Sequence, residues 1–96
     1  CFAVAETSTP KKIIAIGRSI SDGVSDAYLQ DVSVLIEYRN LGIGKKIIKT
    51  LIQYLQENNI TWIALIAEPN YSTFYEPLGF KKMINYTPMK FKIYES

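Results

Sequence analysis

The chain has 96 residues, 48% of them hydrophobic, and its eleven basic and nine acidic side chains leave a net charge of +2. That is room for one ordinary globular domain over residues 1–96, and the charge is too mild to argue for a nucleic-acid partner. One cysteine and no histidine exclude an internal disulfide, a Cys/His zinc site and any Ser/His/Asp or Cys/His triad.

Phe2 to Glu6 is short and apolar, and after the turn-like Thr7-Ser8-Thr9-Pro10 comes Lys12 to Arg18, rich in β-branched residues. The pair predicts a hairpin. Ser21-Asp22-Gly23 signals a turn, and Ala27 to Ile36 predicts a third strand with the carboxylate of Asp31 in its middle. From Gly44 to Asn58 the apolar positions Ile47, Ile48, Leu51, Ile52 and Leu55 recur at helical spacing, with Lys45, Lys49, Gln53 and Glu57 turned outward. Asn58-Asn59 suits the end of that helix, because Asn tolerates the left-handed conformation.

Thr61 to Ala67 is a nearly unbroken apolar run, which predicts a strand covered on both faces. Glu68-Pro69-Asn70 breaks it, and Asn70 is placed to cap a short helix from Tyr71 to Leu78 that stops at Gly79. Met89, Phe91 and Ile93 then alternate with Lys90, Lys92 and Tyr94, as in a strand with one wet face. The expected class is α/β, with a mixed sheet and no internal repeat or linker. No apolar run reaches the roughly 18 residues of a membrane span, and no charged-then-apolar leader is legible, so a cytoplasmic location is expected. A start at Cys1 rather than Met leads us to expect a fragment.

The stretch Tyr38-Arg39-Asn40-Leu41-Gly42-Ile43-Gly44-Lys45-Lys46 poses a problem of charge. A helix start has unpaired peptide N–H groups and the positive end of the peptide dipoles, so acidic residues belong there. Arg39, Lys45 and Lys46 are unfavourable beside it unless an anion arrives, and Gly42 and Gly44 let the backbone approach that anion closely. The pattern describes a phosphate or pyrophosphate cradle. It fails the dinucleotide fingerprint, since Ile47 holds the third glycine position, and the Walker A pattern, since Arg39 stands where the first glycine belongs. A plain glycine turn with solvated lysines is the competing reading.

Arg39-x-x-Gly42-x-Gly44 after a strand carrying Val32-Ser33-Val34 resembles the Arg/Gln-x-x-Gly-x-Gly/Ala signature of the GNAT superfamily, the acetyl-coenzyme A dependent N-acetyltransferases. Asn70 followed by Phe74-Tyr75-Glu76-Pro77-Leu78-Gly79-Phe80 is similar to a second motif of that family. The resemblance implies the GNAT fold without its first strand and two helices: antiparallel strands, then a splayed parallel pair with a helix between. It also implies a bulge in the strand of Val32 to Val34, exposing backbone to the pantetheine arm. The backbone of Val32, Ser33 and Val34 would pair with that arm, and the backbone of Arg39, Asn40, Leu41, Gly42, Ile43, Gly44 and Lys45 would hold the pyrophosphate. Pro77 departs from the family pattern.

The resemblance further implies acetyl-coenzyme A as co-substrate, direct transfer to a primary amine without metal or covalent enzyme intermediate, Tyr75 as general acid and Asn70 as a coenzyme contact. A packed tyrosine and a helix cap are the structural alternatives. Asp31, and behind it Glu68, are the carboxylates placed to act as base, or to bind a charged substrate. Tyr28 and Tyr71 are candidates to line the acceptor pocket, and a second copy of the chain is a candidate to complete the sheet or the acceptor site. Two rivals remain at this stage. One is a coenzyme-binding fragment or subunit without catalysis; the other is a nucleic-acid-binding domain using Lys45, Lys46, Lys49, Lys81, Lys82, Lys90 and Lys92.

Overall fold

The alternating, β-branched N-terminal half forms three consecutive antiparallel strands. The computed structural model describes residues 1–92, in two compact units that divide after Leu65. In the first unit, β1 (Phe2–Ser8), β2 (Lys11–Ser21) and β3 (Asp26–Val34) lie side by side. A fourth strand, β4 (Trp62–Ala64), pairs parallel to β3, giving the mixed order β1-β2-β3-β4. A parallel neighbour requires a crossover, and helix α1 (Ile43–Glu57) supplies it.

The apolar stripe of α1 explains why it lies on the sheet. Ile47, Ile48, Leu51 and Leu55 are buried, and Ile48 and Leu51 are fully enclosed. Beneath them the sheet presents small residues, Ala3, Ala15 and Ala27, with Ile14 and Leu29. Each Ile or Leu so buried contributes about 1.5–3 kcal/mol. Gly17 allows the closest approach: a Cβ at that position would stand 2.5 Å from Ile47 Cγ2 and 3.3 Å from Leu51 Cδ1.

The helix ends as the paired asparagines predict. Asn59 adopts φ 63°, its N–H donates to the Gln56 carbonyl at 3.0 Å, and the N–H of Ile60 donates to the Leu55 carbonyl at 3.0 Å. That double bond pattern, with buried Ile60 beside buried Leu55, is a Schellman closure. Asn58 adds a bond from its side-chain amide to the Tyr54 carbonyl at 2.8 Å.

The second unit, from Ile66 onward, contains α2 (Ser72–Tyr75) and a 3-10 turn over Glu76–Leu78, closed by Gly79 at φ 104°. Pro77 fits there, because it lies at the start of the 3-10 turn, where a missing N–H costs nothing. Tyr75 packs edge-on against Phe74 and Phe80, with ring centroids 5.0 and 5.9 Å apart.

Several expectations change. The third strand stops at Val34, and Ile36 belongs to a 3-10 turn, Ile36–Tyr38. The run Thr61 to Ala67 yields only the three residues of β4, and it is not covered on both faces: Trp62 is 39% exposed and Ile66 72%. Its apolarity records composition rather than enclosure, for β4 finds a partner only along the first residues of β3. Asn70 does not cap α2; Tyr71 holds that position, no side chain bonds to it, and Asn70 takes φ 72° in the preceding turn. The alternating strand is absent over 89–92, where Met89 and Phe91 are exposed. Ile93 and Tyr94 of that expectation lie outside the described residues.

Candidate active site

The site begins with an irregularity in β3. Ile16 pairs with Ser33 and Arg18 with Gln30, so Asp31 and Val32 together oppose Gly17. This is a bulge, and Asp31 takes the positive φ, 56°, that such a position usually reserves for glycine. The extra residue changes the phase of the strand: Ala27 and Leu29 point to the core before it, Val32 and Val34 after it.

The bulge also sets the strand's free edge. The Leu35 N–H donates to the Ile14 carbonyl at 2.8 Å, so by the alternation of an antiparallel ladder the peptide groups of Val34 turn away from β2. On that side β4 pairs with β3 only through Asp26, Ala27 and Tyr28. Among the described residues no strand pairs with that side of β3 beyond Tyr28, and the edge is open along Val32, Ser33 and Val34.

The loop that follows is folded back onto this edge. Arg39 closes the 3-10 turn, and its Nε donates to the Val34 carbonyl at 3.0 Å. Asn40 and Gly42 both take positive φ, 65° and 79°. Gly42 is the N-cap of α1 in the left-handed conformation, no side chain caps the helix, and its first turn has no acidic residue. The Lys46 N–H reaches the Gly42 carbonyl at 3.2 Å, which leaves the N–H groups of Ile43, Gly44 and Lys45 at the helix start without side-chain partners. Lys45 and Lys46 are exposed beside them. Unpaired peptide N–H groups, the positive end of the helix dipole and two exposed lysines together can attract an anion at the end of this strand edge.

Sequence reasoning did not single out Arg18. It stands in β2 opposite Gln30, with Nε 2.6 Å from Asp31 Oδ2 and Nη2 donating to Gln30 Oε1 at 3.2 Å. The Nε is sealed from solvent and its approach to Asp31 is not aligned as a hydrogen bond, so charge rather than directional bonding holds that contact. A cation in the middle of the strand, on the same face as Ile16 and Ile20 and away from Lys11 and Lys12 at its start, was the signal for it. Nearby on the sheet, Tyr28 pairs across from Ile20 and packs edge-on to Trp62, with centroids 5.5 Å apart.

Asn70 and Tyr75 belong to the second unit. Asn70 is in the turn before α2, and Tyr75 is half-buried in α2. Burial raises the Tyr75 phenol above its ordinary pKa of 10.0, and the nearby charges of Glu68 and Tyr71 push the same way. The hydroxyl therefore stays protonated through the neutral range and can act there as a proton donor but not as a base. Among the described residues no group of His, Cys, Asp and Glu side chains is arranged to hold a metal, and no helix is long and apolar enough to cross a membrane.

The family model of the acetyltransferase (GNAT) domain matches residues 1–82. An uncharacterized N-acetyltransferase of Pyropia yezoensis is 39% identical over 71 residues, covering 74% of this chain and 41% of its own length. The chloroplastic GCN5-related N-acetyltransferase 1 of Arabidopsis thaliana is 39% identical over 75 residues, covering 78% of this chain and 38% of its own. The chain thus spans about two fifths of the curated relatives it matches. A solved acetyltransferase of Trypanosoma brucei superposes with a TM-score of 0.83 at 21% identity, covering 96% of this chain and 68% of its own, a likeness of fold.

Proposed function

Because the chain belongs to the GNAT acetyltransferase family, we propose that it binds acetyl-coenzyme A along the open edge of β3 and at the head of α1, for direct acetyl transfer to a primary amine. One observation supports this above the others: β3 runs on to Val34 after its pairing with β4 ends at Tyr28, and leads straight into a helix start without an acidic cap. An extended amide-bearing arm fits the first feature and a pyrophosphate the second. The backbone of Val32 to Val34 bonds the pantetheine amides; the peptide N–H groups of Ile43 to Lys45, with the charges of Lys45 and Lys46, hold the diphosphate.

In the transfer, the neutral amine attacks the thioester carbonyl, the new C–N bond forms, and the C–S bond breaks with its electron pair passing to sulfur. The amine then sheds a proton and the thiolate takes one up. We assign Tyr75 to the second duty, a role that its resistance to ionisation suits. Asp31, 64% exposed at its side chain while paired with Arg18, is assigned the first, through water. Asn70 is assigned a coenzyme contact.

Calorimetric titration with coenzyme A, followed by thiol release from acetyl-coenzyme A with a panel of primary amines, tests the reading. A coenzyme signal that disappears with a bulky side chain at Gly42, together with amine-dependent turnover, is the expected result. No coenzyme binding by the parent protein overturns it, and binding without turnover reduces it to a coenzyme-binding module.

A further inference from the structure

A backbone conformation that disfavours an L side chain survives only where its surroundings hold it, and Asp31 at φ 56° is such a case. One guanidinium accounts for the hold. Arg18 sits on the neighbouring strand, contacts Asp31 Oδ2 through Nε at 2.6 Å, and bonds Gln30 through Nη2 at 3.2 Å. It therefore grips both the last regular residue of β3 and the first residue of the bulge. On the core side Val32 lies beside Gly17, directly opposite the bulge: a Cβ on Gly17 would be in ordinary contact with Val32 Cγ2, at 3.4 Å.

The consequence concerns register. Without the bulge, Val32 and Val34 would exchange faces with Ser33, and the peptide groups now directed to the open edge would turn toward β2. We propose that Arg18 is a positioning residue: by clamping Asp31 and Gln30 it holds the bulge, and so fixes the direction of the Val32 and Val34 peptide groups that receive the coenzyme arm. This rests on the coenzyme site proposed above. It gives Asp31 a structural duty that glycine, needing no clamp at positive φ, can perform equally well.

The experiment compares the parent with Arg18→Met, Arg18→Lys, Asp31→Gly and the double variant Arg18→Met/Asp31→Gly, each checked for folding by far-ultraviolet circular dichroism. Amide hydrogen exchange at Ser33 and Leu35, whose N–H groups face β2 in the bulged register, is read without ligand, and coenzyme A affinity by calorimetry. Arg18→Met is expected to speed exchange at those amides and to weaken coenzyme A about fivefold, the scale of a partly exposed ion pair. Arg18→Lys keeps the charge but not the fork and should fall between. Asp31→Gly should bind coenzyme A within about twofold of the parent, and in its background Arg18→Met should do no further harm, the non-additivity of a shared clamp.

Parent-like exchange in Arg18→Met overturns the proposal. So does an equal loss on removing Arg18 in the parent and in the Asp31→Gly background. Should Arg18→Met not fold, Arg18→Lys and the double variant decide: parent-like exchange in the first, or failure of the second to fold, overturns the clamp. A parent that binds no coenzyme A removes the site reading instead, while the exchange measurement still judges the clamp.

Discussion

Arg39 Nε donates to the main-chain carbonyl of Val34 across five residues of chain, at 3.0 Å. The bond folds the loop of the Arg-x-x-Gly-x-Gly signature back onto the last residue of β3, so the strand edge and the helix start are held in one relation. The arginine of this signature thus acts first on its own backbone. Arg39→Met keeps most of the aliphatic stem and removes the donor. One exposed, charge-assisted bond is worth about 1 kcal/mol, so stability should fall by at most that order and coenzyme A affinity by up to about fivefold. Calorimetry on the variant checks this, and unchanged affinity would show that the tether has no bearing on the site.

Gly42 holds φ 79°, and a Cβ there would meet nothing within 4 Å. The cost of a substitution is therefore conformational and not steric. Gly42→Ala should destabilise by about 1 kcal/mol, and Gly42→Asn by less, since Asn tolerates the left-handed region. Urea unfolding of the two variants measures the difference. Equal losses would place the cause elsewhere.

Gly17 presents the opposite case, since its φ is ordinary and its space is taken. The 2.5 Å separation from Ile47 Cγ2 involves a β-branched side chain on a helix, which has little rotamer freedom to retreat. Gly17→Ala should cost about 1–3 kcal/mol by overpacking. Ile47→Ala removes the offending methyl, so the double variant should be less destabilised than the sum of the two single ones. Additive losses in urea unfolding would refute the collision.

Much of the fold was legible in residues whose physics is local. The stripe of α1 gave the helix to within one residue at each end, because Gly42 and Asn59 are left-handed stops that few other residues replace. The bulge was expected only from the family resemblance: the slip that marks it, Ala27 and Leu29 inward and then Val32 and Val34, with Asp31 and Val32 opposite Gly17, emerges only once burial and pairing are known. What could not be read depends on partners distant in sequence. Thr61 to Ala67 carries the apolarity of an enclosed strand, but apolarity does not say where a strand parts from its neighbour, and β4 pairs with β3 only along Asp26 to Tyr28 although the edge of β3 continues. Met89 and Phe91 alternate correctly and still form no strand, since alternation supplies a face and no neighbour.

The turn between β2 and β3 carries a pH dependence. Asp22 Oδ1 accepts from the N–H groups of Val24, Ser25 and Asp26 at 2.8, 3.0 and 3.1 Å, and these bonds lower its pKa below the ordinary 3.8. A carboxyl whose folded pKa is depressed contributes stability that is fully present above its unfolded pKa. That contribution is lost as the pH falls through the folded one. Asp22→Asn should therefore narrow the stability gap between neutral solution and pH about 3, because the amide does not titrate. Denaturant unfolding at the two pH values checks the sign.

Tyr75 separates a chemical role from a packing role. Its ring packs between Phe74 and Phe80, and Tyr75→Phe preserves both edge contacts while deleting the hydroxyl. If the phenol donates to the departing thiolate, kcat should fall about a hundredfold, the lower range for one general acid. KM for acetyl-coenzyme A and the melting temperature should stay near those of the parent. The raised pKa fixes the direction of the pH effect: the proton is held more tightly than in free tyrosine, so any alkaline loss of kcat due to Tyr75 falls above pH 10.0. An activity loss near neutral pH belongs to another group, since Tyr75 is fully protonated there. A difference titration of tyrosinate absorbance between parent and variant locates the phenol, and a Tyr75→Phe enzyme with undiminished kcat would leave the residue only its packing.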